Sequence, residues 1–356
     1  MTKLVVNLYK YGETFVPSIF DRFDFDNFKL VSYFDAAKAM NINRDPSTMG
    51  FFEIEGSIIL DEYIKKYEEL FGLELLIKNA LCGSFIKHHA PIISIVCDNY
   101  IRGPEILFGN KFMDDFNHFR ERIGFSHLQK TSIENSMITV FPTKQMADDY
   151  MKEFGKMEHK IIPNGVDTEK FKPFDGKTKE ELKEKYMIPK DKKVGIWVGF
   201  FTPNHWAFMP QLIKEFPDVF WVLSFKHRLD DKALQIKSKN VRICYGATAE
   251  LMPQLLNCAD FLIDPAFWNN FGMINMEAAS CNIPVITSRT GWFYDAQSGD
   301  IGEIVTKQEY EMYKKAVEDV IKKEFEYHPR EVILQEKLTI DRWREDWKTL
   351  IKETVK

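Results

Sequence analysis

Short apolar runs alternate with amphipathic stretches along the chain, most regularly in its second half. "KKVGIWVGF", "VFWVLSF", "VRICYGA", "DFLIDPA" and "IPVITS" are five apolar runs of strand length, and segments with helical spacing lie between them near 204–216, 230–238, 250–258 and 272–281. Near-continuous apolar strands separated by helices predict an α/β fold: a parallel sheet with helices on both faces. Such sheets bind ligands at the carboxyl ends of their strands.

The first half shows the same alternation less cleanly. "LVVNLY", "LELLI", "PIISIVCD" and "SMITVFPT" predict strands. Residues 57–72, "FMDDFNHFRERIG" and "KQMADDYMKEFG" predict helices, the first closing on Gly72. Between the halves runs "IIPNGVDTEKFKPFDGKTKEELKEKYMIPKDKK", polar, basic and broken by Pro163, Pro173 and Pro189. It predicts a linker. The expected organisation is a first domain over 1–165, a linker over 166–190, a second domain over 191–335 and a C-terminal helix over 336–356. In that helix Trp343, Trp347, Leu350 and Ile351 share one face, which must be buried. A length of 356 residues suits two domains of about 150 residues each.

A net charge of -5 argues against a general nucleic-acid binder, which would need a basic face. Cys82, Cys97, Cys244, Cys258 and Cys281 form no CxxC pair and sit mostly in apolar runs, so they read as buried reduced thiols of a cytoplasmic protein. "MTKLVVNLYKYGETF" is too short in apolar length for a signal peptide, and no 18-residue apolar stretch predicts a membrane span. Peripheral membrane contact stays open.

Several motifs fail on their context. No GxGxxG follows a strand, which argues against a dinucleotide-binding dehydrogenase. "DGKT" at 175–178 resembles the end of a phosphate-binding loop, but Phe171 holds the earlier glycine position. "DFD" at 24–26 has the Asp-x-Asp form of some metal-dependent glycosyltransferases without a nucleotide-binding fold before it. His88-His89 lacks a second ligand cluster and reads as a solvated loop pair. There is no GxSxG elbow.

Two stretches carry a resemblance. "TVFPTKQMADDYMKEFGKMEHKIIPNGVDTEKFKP" resembles the domain junction of retaining GT-B glycosyltransferases (group 1, family 4-like), with its closest match at Ile162–Asp167. There Asn164-Gly165 is expected to supply a turn with positive φ. The second is "NNFGMINMEAASCNIPVITS", which is similar to the family's Glu-Gly-Phe-Gly, four residues, Glu-Ala, then "G.PVI.S". The resemblance covers about 130–350 and is vague before residue 75. It implies a GT-B fold: two Rossmann-like parallel-sheet domains facing a cleft, with the C-terminal helix packing back across them. It also implies transfer of a sugar from a nucleotide diphosphate sugar to an acceptor, with retention and without metal or other cofactor.

Carried over residue by residue, the resemblance implies that Gly272, with Asn270 and Phe271, forms a diphosphate-facing turn at a helix N-terminus. It places Glu277 on the ribose hydroxyls and the backbone of Tyr245 and Gly246 against the nucleobase. The departures concern catalysis. The family's first glutamate, which contacts the donor sugar, falls on Asn269. Its Arg and Lys, which neutralise the departing diphosphate, fall on Phe200 and His205. A histidine at its ordinary pKa of about 6.5 is mostly neutral at pH 7. Lys226 and Arg228, at the end of "VFWVLSF", are the expected replacements, with Arg289 a third candidate. The family's His-Asp/Glu near the acceptor falls on Cys97 and Asp98. Asp98 could orient an acceptor hydroxyl, whereas Cys97 on an apolar strand makes a poor nucleophile. The family's Gly-Gly loop is not recognisable in "KYGETFVPS". The expected partners are a nucleotide sugar and a glycan, lipid or protein acceptor. The alternatives are a nucleotide-sugar-binding subunit of weak or no activity, or another GT-B enzyme such as a nucleotide-sugar epimerase.

Overall fold

The computed structural model describes residues 2–7, 22–23, 28–43, 52–82, 85, 87–101, 124–199, 203–206, 208–225, 238–248, 250–296, 299–322 and 326–355. The chain divides into two units, Met1–Pro163 with Glu345–Lys356, and Asn164–Arg344.

Unit 1 is a six-stranded parallel sheet. Its strands are β1 (Thr2–Asn7), β2 (Phe28–Ser32), β3 (Leu73–Asn79), β4 (Ile92–Ile95), β5 (Ile138–Phe141) and β6 (His159–Ile161), in the order β2-β1-β3-β4-β5-β6. Its helices are α1 (Tyr33–Ala39), α2 (Phe52–Phe71), α3 (Ser126–Glu134) and α4 (Lys144–Phe154). The inner strands are apolar because both faces are covered: every residue of β4 and β5 is buried. Local chemistry sets the helix ends. Ser32 and Asp35 form a capping box at α1, and the Thr143 hydroxyl accepts from Met146 N–H at α4, which stops at Gly155 with φ 88°. The helix expected over 112–124 and the "DFD" and "KYGETFVPS" stretches lie outside the described residues.

Unit 2 is a second parallel sheet built from β7 (Lys193–Gly199), β8 (Val219–Phe225), β9 (Val241–Tyr245), β10 (Phe261–Asp264), β11 (Val285–Ser288) and β12 (Gly302–Val305), in the order β12-β11-β10-β7-β8-β9. Its helices are α5 (Gly176–Lys185), α6 (Pro203–Trp206), α7 (Met209–Glu215), α8 (Met252–Asn257), α9 (Met273–Ser280), α10 (Tyr310–Lys322) and α11 (Pro329–Gln335). All five apolar runs of the second half are strands, and all seven residues of β8 are buried. The segments near 204–216, 250–258 and 272–281 are α6 with α7, α8 and α9. The segment 230–238 lies outside the described residues. From β7 the chain steps outward to β8 and β9, then returns to β10 on the other side of β7. The strand order therefore reverses between β7 and β10, which opens a crevice at their carboxyl ends.

Residues 166–190 belong to unit 2 and contain α5. Asp175 caps that helix, its carboxylate accepting from Thr178 N–H at 2.9 Å, so "DGKT" is a helix start rather than a phosphate loop. The positive-φ turn expected at Asn164-Gly165 is absent, since neither residue has φ above zero. The glycine serves close approach instead. A Cβ at Gly165 would meet the Thr339 carbonyl oxygen at 2.3 Å, where Val166 N–H donates to Leu338 and Ile340 N–H donates to Val166. That contact seats the start of the last helix, α12 (Ile340–Thr354), on which Trp343, Trp347, Leu350 and Ile351 are all buried. The helix begins in unit 2 and continues in unit 1 from Glu345.

Candidate functional site

The crevice of unit 2 is flanked by the segments that follow β7 and β10. After β7 the chain turns into α6, where the His205 carbonyl accepts from the indole N–H of Trp197 at 3.0 Å. Trp197 is fully buried on β7, so this bond ties α6 to the sheet.

Asp264 closes β10, opposite Thr287 of β11, and is 2% exposed. It accepts from the side-chain amides of Asn269 at 2.7 Å and Asn275 at 3.0 Å, and His205 Nδ1 stands 3.7 Å from its Oδ1. Burial raises the Asp264 carboxyl, but the His205 contact and charge, then the two amides, outweigh it and hold the group below the usual carboxylate value. It is a buried charge, kept by its donors. Sequence reasoning missed it, because "DFLIDPA" reads as a uniform apolar run. The available signal was a carboxylate at the end of a buried strand, followed directly by Pro265.

The turn after β10 carries the family-like residues. The Asn270 oxygen accepts from the Trp268 indole N–H at 2.9 Å, and the Phe271 ring is buried. Gly272 is the N-cap of α9 with φ 92° and ψ 49°, a left-handed conformation that disfavours a side chain. A Cβ there would lie 3.1 Å from Asn275 Nδ2 and 3.4 Å from the Phe293 ring. No side chain caps this helix end. Glu277, on α9, is 6% exposed. Burial first, and the Glu277 charge second, push the nearby Cys281 thiol up to about 12. At the other end of α9, Arg330 donates to the carbonyls of Ser280 at 2.6 Å, Phe171 at 3.1 Å and Thr168 at 3.2 Å. A cation at a helix C-terminus complements the dipole.

Tyr245 ends β9, and Gly246 follows with φ 61°, its N–H donating to the Phe225 carbonyl at 2.9 Å. Arg289 is the first residue after β11. Its backbone N–H donates to Val305 at 3.0 Å, while its buried Nε has no hydrogen-bond partner among the described residues. Lys226, Arg228 and Phe200 lie outside the described residues.

The remaining candidates belong to unit 1. Asp98 follows β4, and its carbonyl accepts from Gln129 Nε2 at 2.9 Å and the Tyr150 hydroxyl at 3.0 Å. Burial, then the Asp98 charge, push the Cys97 thiol well above its ordinary value, which disfavours the thiolate. The His88-His89 pair is solvated only in part, since His89 is exposed and His88 is not. The His88 side chain is buried, 3.5 Å from Glu68 and 3.9 Å from Asp61, and it ties its loop to α2. Asp264 thus joins His205 and Asn269. Asn270, Phe271, Gly272 and Glu277 line the adjoining turn and helix, and Asp98 stands in the other unit.

Residues 178–337 match the family model described as Glycosyl transferases group 1. The phosphatidylinositol N-acetylglucosaminyltransferase GPI3 subunit of Saccharomyces cerevisiae is 26% identical over 144 residues, which is 37% of this chain and 30% of that protein. A second strain gives 27% over 146 residues. The chain therefore spans about a third of the length of the curated relatives it matches. Among solved structures, Anabaena HepE in complex with UDP and glucose superposes with a TM-score of 0.70 at 14% identity, over 99% of this chain and 100% of that one. Sucrose-phosphate synthase from Thermosynechococcus elongatus gives 0.65 at 15% identity, over 88% and 79%. A glycosyltransferase from Rickettsia africae gives 0.66 at 13% identity, over 100% and 98%. Residues 178–337 thus resemble glycosyl transferases group 1, and the chain has the α/β fold of these GT-B structures, with two six-stranded parallel sheets.

Proposed function

We propose that the chain transfers a sugar from a nucleotide diphosphate sugar to an acceptor, with retention and without a metal ion. The start of α9 carries this reading. Its left-handed glycine cap offers no side-chain acceptor, and Asn275 N–H already donates to the Gly272 carbonyl, so the N–H groups of Met273 and Ile274 are the ones left to water or a ligand. The helix dipole favours an anion there, and a diphosphate supplies one. Glu277, buried on the same helix, is the proposed partner of the ribose hydroxyls. Tyr245 and Gly246 would offer backbone to the base, and Asn269 would hydrogen-bond the donor sugar. Arg289 is the proposed cation for the leaving diphosphate among the described residues, because its buried, unpartnered Nε is unlike a solvated surface charge. Lys226 and Arg228 stay beside it as candidates. Asp98 would orient an acceptor hydroxyl. The UDP in the HepE structure supports a uridine donor.

A second reading, a subunit that binds the donor without turning it over, is favoured by the uncharged Asn269 and by the subunit role named for the yeast relatives. Assays of UDP- and GDP-hexoses with glycan and lipid acceptors separate the two, and the anomeric signal of the product reports retention. Glu277→Ala should weaken UDP binding at least tenfold by calorimetry; unchanged binding rejects the ribose role. Arg289→Ala should lower turnover on the order of 10²-fold. A wild-type rate would move the search to Lys226 and Arg228.

A further inference from the structure

Three groups at the switch point share one buried carboxylate. Asp264 accepts from Asn269 and faces His205, and these are two of the positions at which the chain departs from the family it resembles. It also accepts from Asn275, whose amide reaches Thr287 Oγ1 at 3.2 Å, so it is held by β10, α9 and β11 together. Building on the donor-binding reading above, we infer that Asp264 is a positioning residue of the donor site. Its carboxylate orients the Asn269 carboxamide toward the donor sugar and fixes the His205 ring beside it.

The geometry supports this in two ways. A carboxylate only accepts hydrogen bonds, so Asn269 must turn its NH₂ toward Asp264, which leaves its carbonyl oxygen to meet a sugar hydroxyl. Asp264 Oδ1 also lies 3.7 Å from His205 Nδ1, which places the imidazole next to the same carboxylate. The His205 side chain is 22% exposed, so a ligand can reach it. The groups facing Asp264 are His205 from α6, Asn269 from the turn, Asn275 from α9, Thr287 from β11 and Tyr313 from α10. Burial first, and the Asp264 charge second, push the Tyr313 phenol far up, and its hydroxyl donates to Gln308 at 2.8 Å.

The test is affinity for UDP-glucose, UDP-N-acetylglucosamine and UDP alone by calorimetry at pH 7.5. Asp264→Asn lets the Asn269 carboxamide turn either way, so it should weaken binding of the preferred UDP-sugar about tenfold and of UDP less than about twofold. Asn269→Ala should show the same split, and adding Asp264→Asn to it should weaken UDP-sugar binding no further. If Asp264→Asn does not fold, Asp264→Glu, which keeps an acceptor but moves it, carries the test with the same split. Equal losses for UDP and the UDP-sugar, or fully additive losses in the double variant, overturn the inference. Glu277-dependent UDP binding with no sugar-specific response at Asp264 rejects this inference alone. Failure of UDP and both UDP-sugars to bind at all rejects the donor-site reading and this one with it.

Discussion

Lys78 and Asp264 are buried charges with opposite consequences for stability. Burial brings the Lys78 ammonium down from 10.5 to about 8, with the charges of Asp61 and Cys82 opposing the change. Between those values the unfolded chain binds more protons than the folded one, so unit 1 gains stability as pH rises through this window. Urea unfolding should show unit 1 more stable at pH 9.5 than at pH 7.5 by about 1–2 kcal/mol, and Lys78→Met should lose this rise. Equal pH slopes in the two proteins would refute the assignment. Asp264 works the other way. Its folded pKa lies below the unfolded value, so its contribution is present above that value and lost as pH falls through the folded one. Unit 2 should therefore weaken below about pH 4. The residues of the α9 turn are legible in the sequence because Gly272 and Glu277 keep a fixed local spacing. Asp264 is not, because its partners His205, Asn269 and Asn275 lie on α6, the turn after β10 and α9, and no local pattern marks a charge that tertiary contacts satisfy.

At the scale of elements, strands buried on both faces announce themselves as apolar runs, and β3, β4, β5, β7, β8, β10 and β11 follow that rule. The half-buried edge strand β9 is still legible from "VRICYGA", but β6 and β12 are not. The three residues of β6 include Lys160 and an exposed Ile161, while β12 is four residues long and opens on Gly302. The Asn164-Gly165 turn shows a second limit: the residue pair is readable, but its purpose depends on a segment more than 170 positions away. Two substitutions separate the reasons for a glycine. Gly165→Ala drives a Cβ into the Thr339 carbonyl and should cost about 3 kcal/mol in unit 2. Gly176→Ala, in the first turn of α5 with nothing within 4 Å, should be neutral or stabilise by about 0.5 kcal/mol. Comparable melting shifts for the two would mean that the Gly165 contact is not what seats α12.

At the scale of the whole molecule, each unit has a core of its own. Leu4, Val31, Leu60, Ile64 and Leu76 lie in one, and Trp197, Trp221, Phe225, Phe261 and Tyr313 lie in another. The last helix serves both: Trp343 falls within unit 2, whereas Trp347 falls within unit 1 and packs edge-on against Phe23 with ring centroids 4.8 Å apart. Trp347→Ala removes a fully buried ring and should destabilise unit 1 by about 3–5 kcal/mol. On the proposed donor site, UDP binds folded unit 2 alone and should stabilise that unit by about 2.7 kcal/mol at a hundredfold excess over its Kd. Scanning calorimetry of wild type and Trp347→Ala, each with and without UDP, therefore has a defined outcome: the substitution lowers one transition and the nucleotide raises the other. A ligand-induced rise confined to the transition that Trp347→Ala lowers would place nucleotide binding in unit 1 and overturn the assignment of the donor to α9.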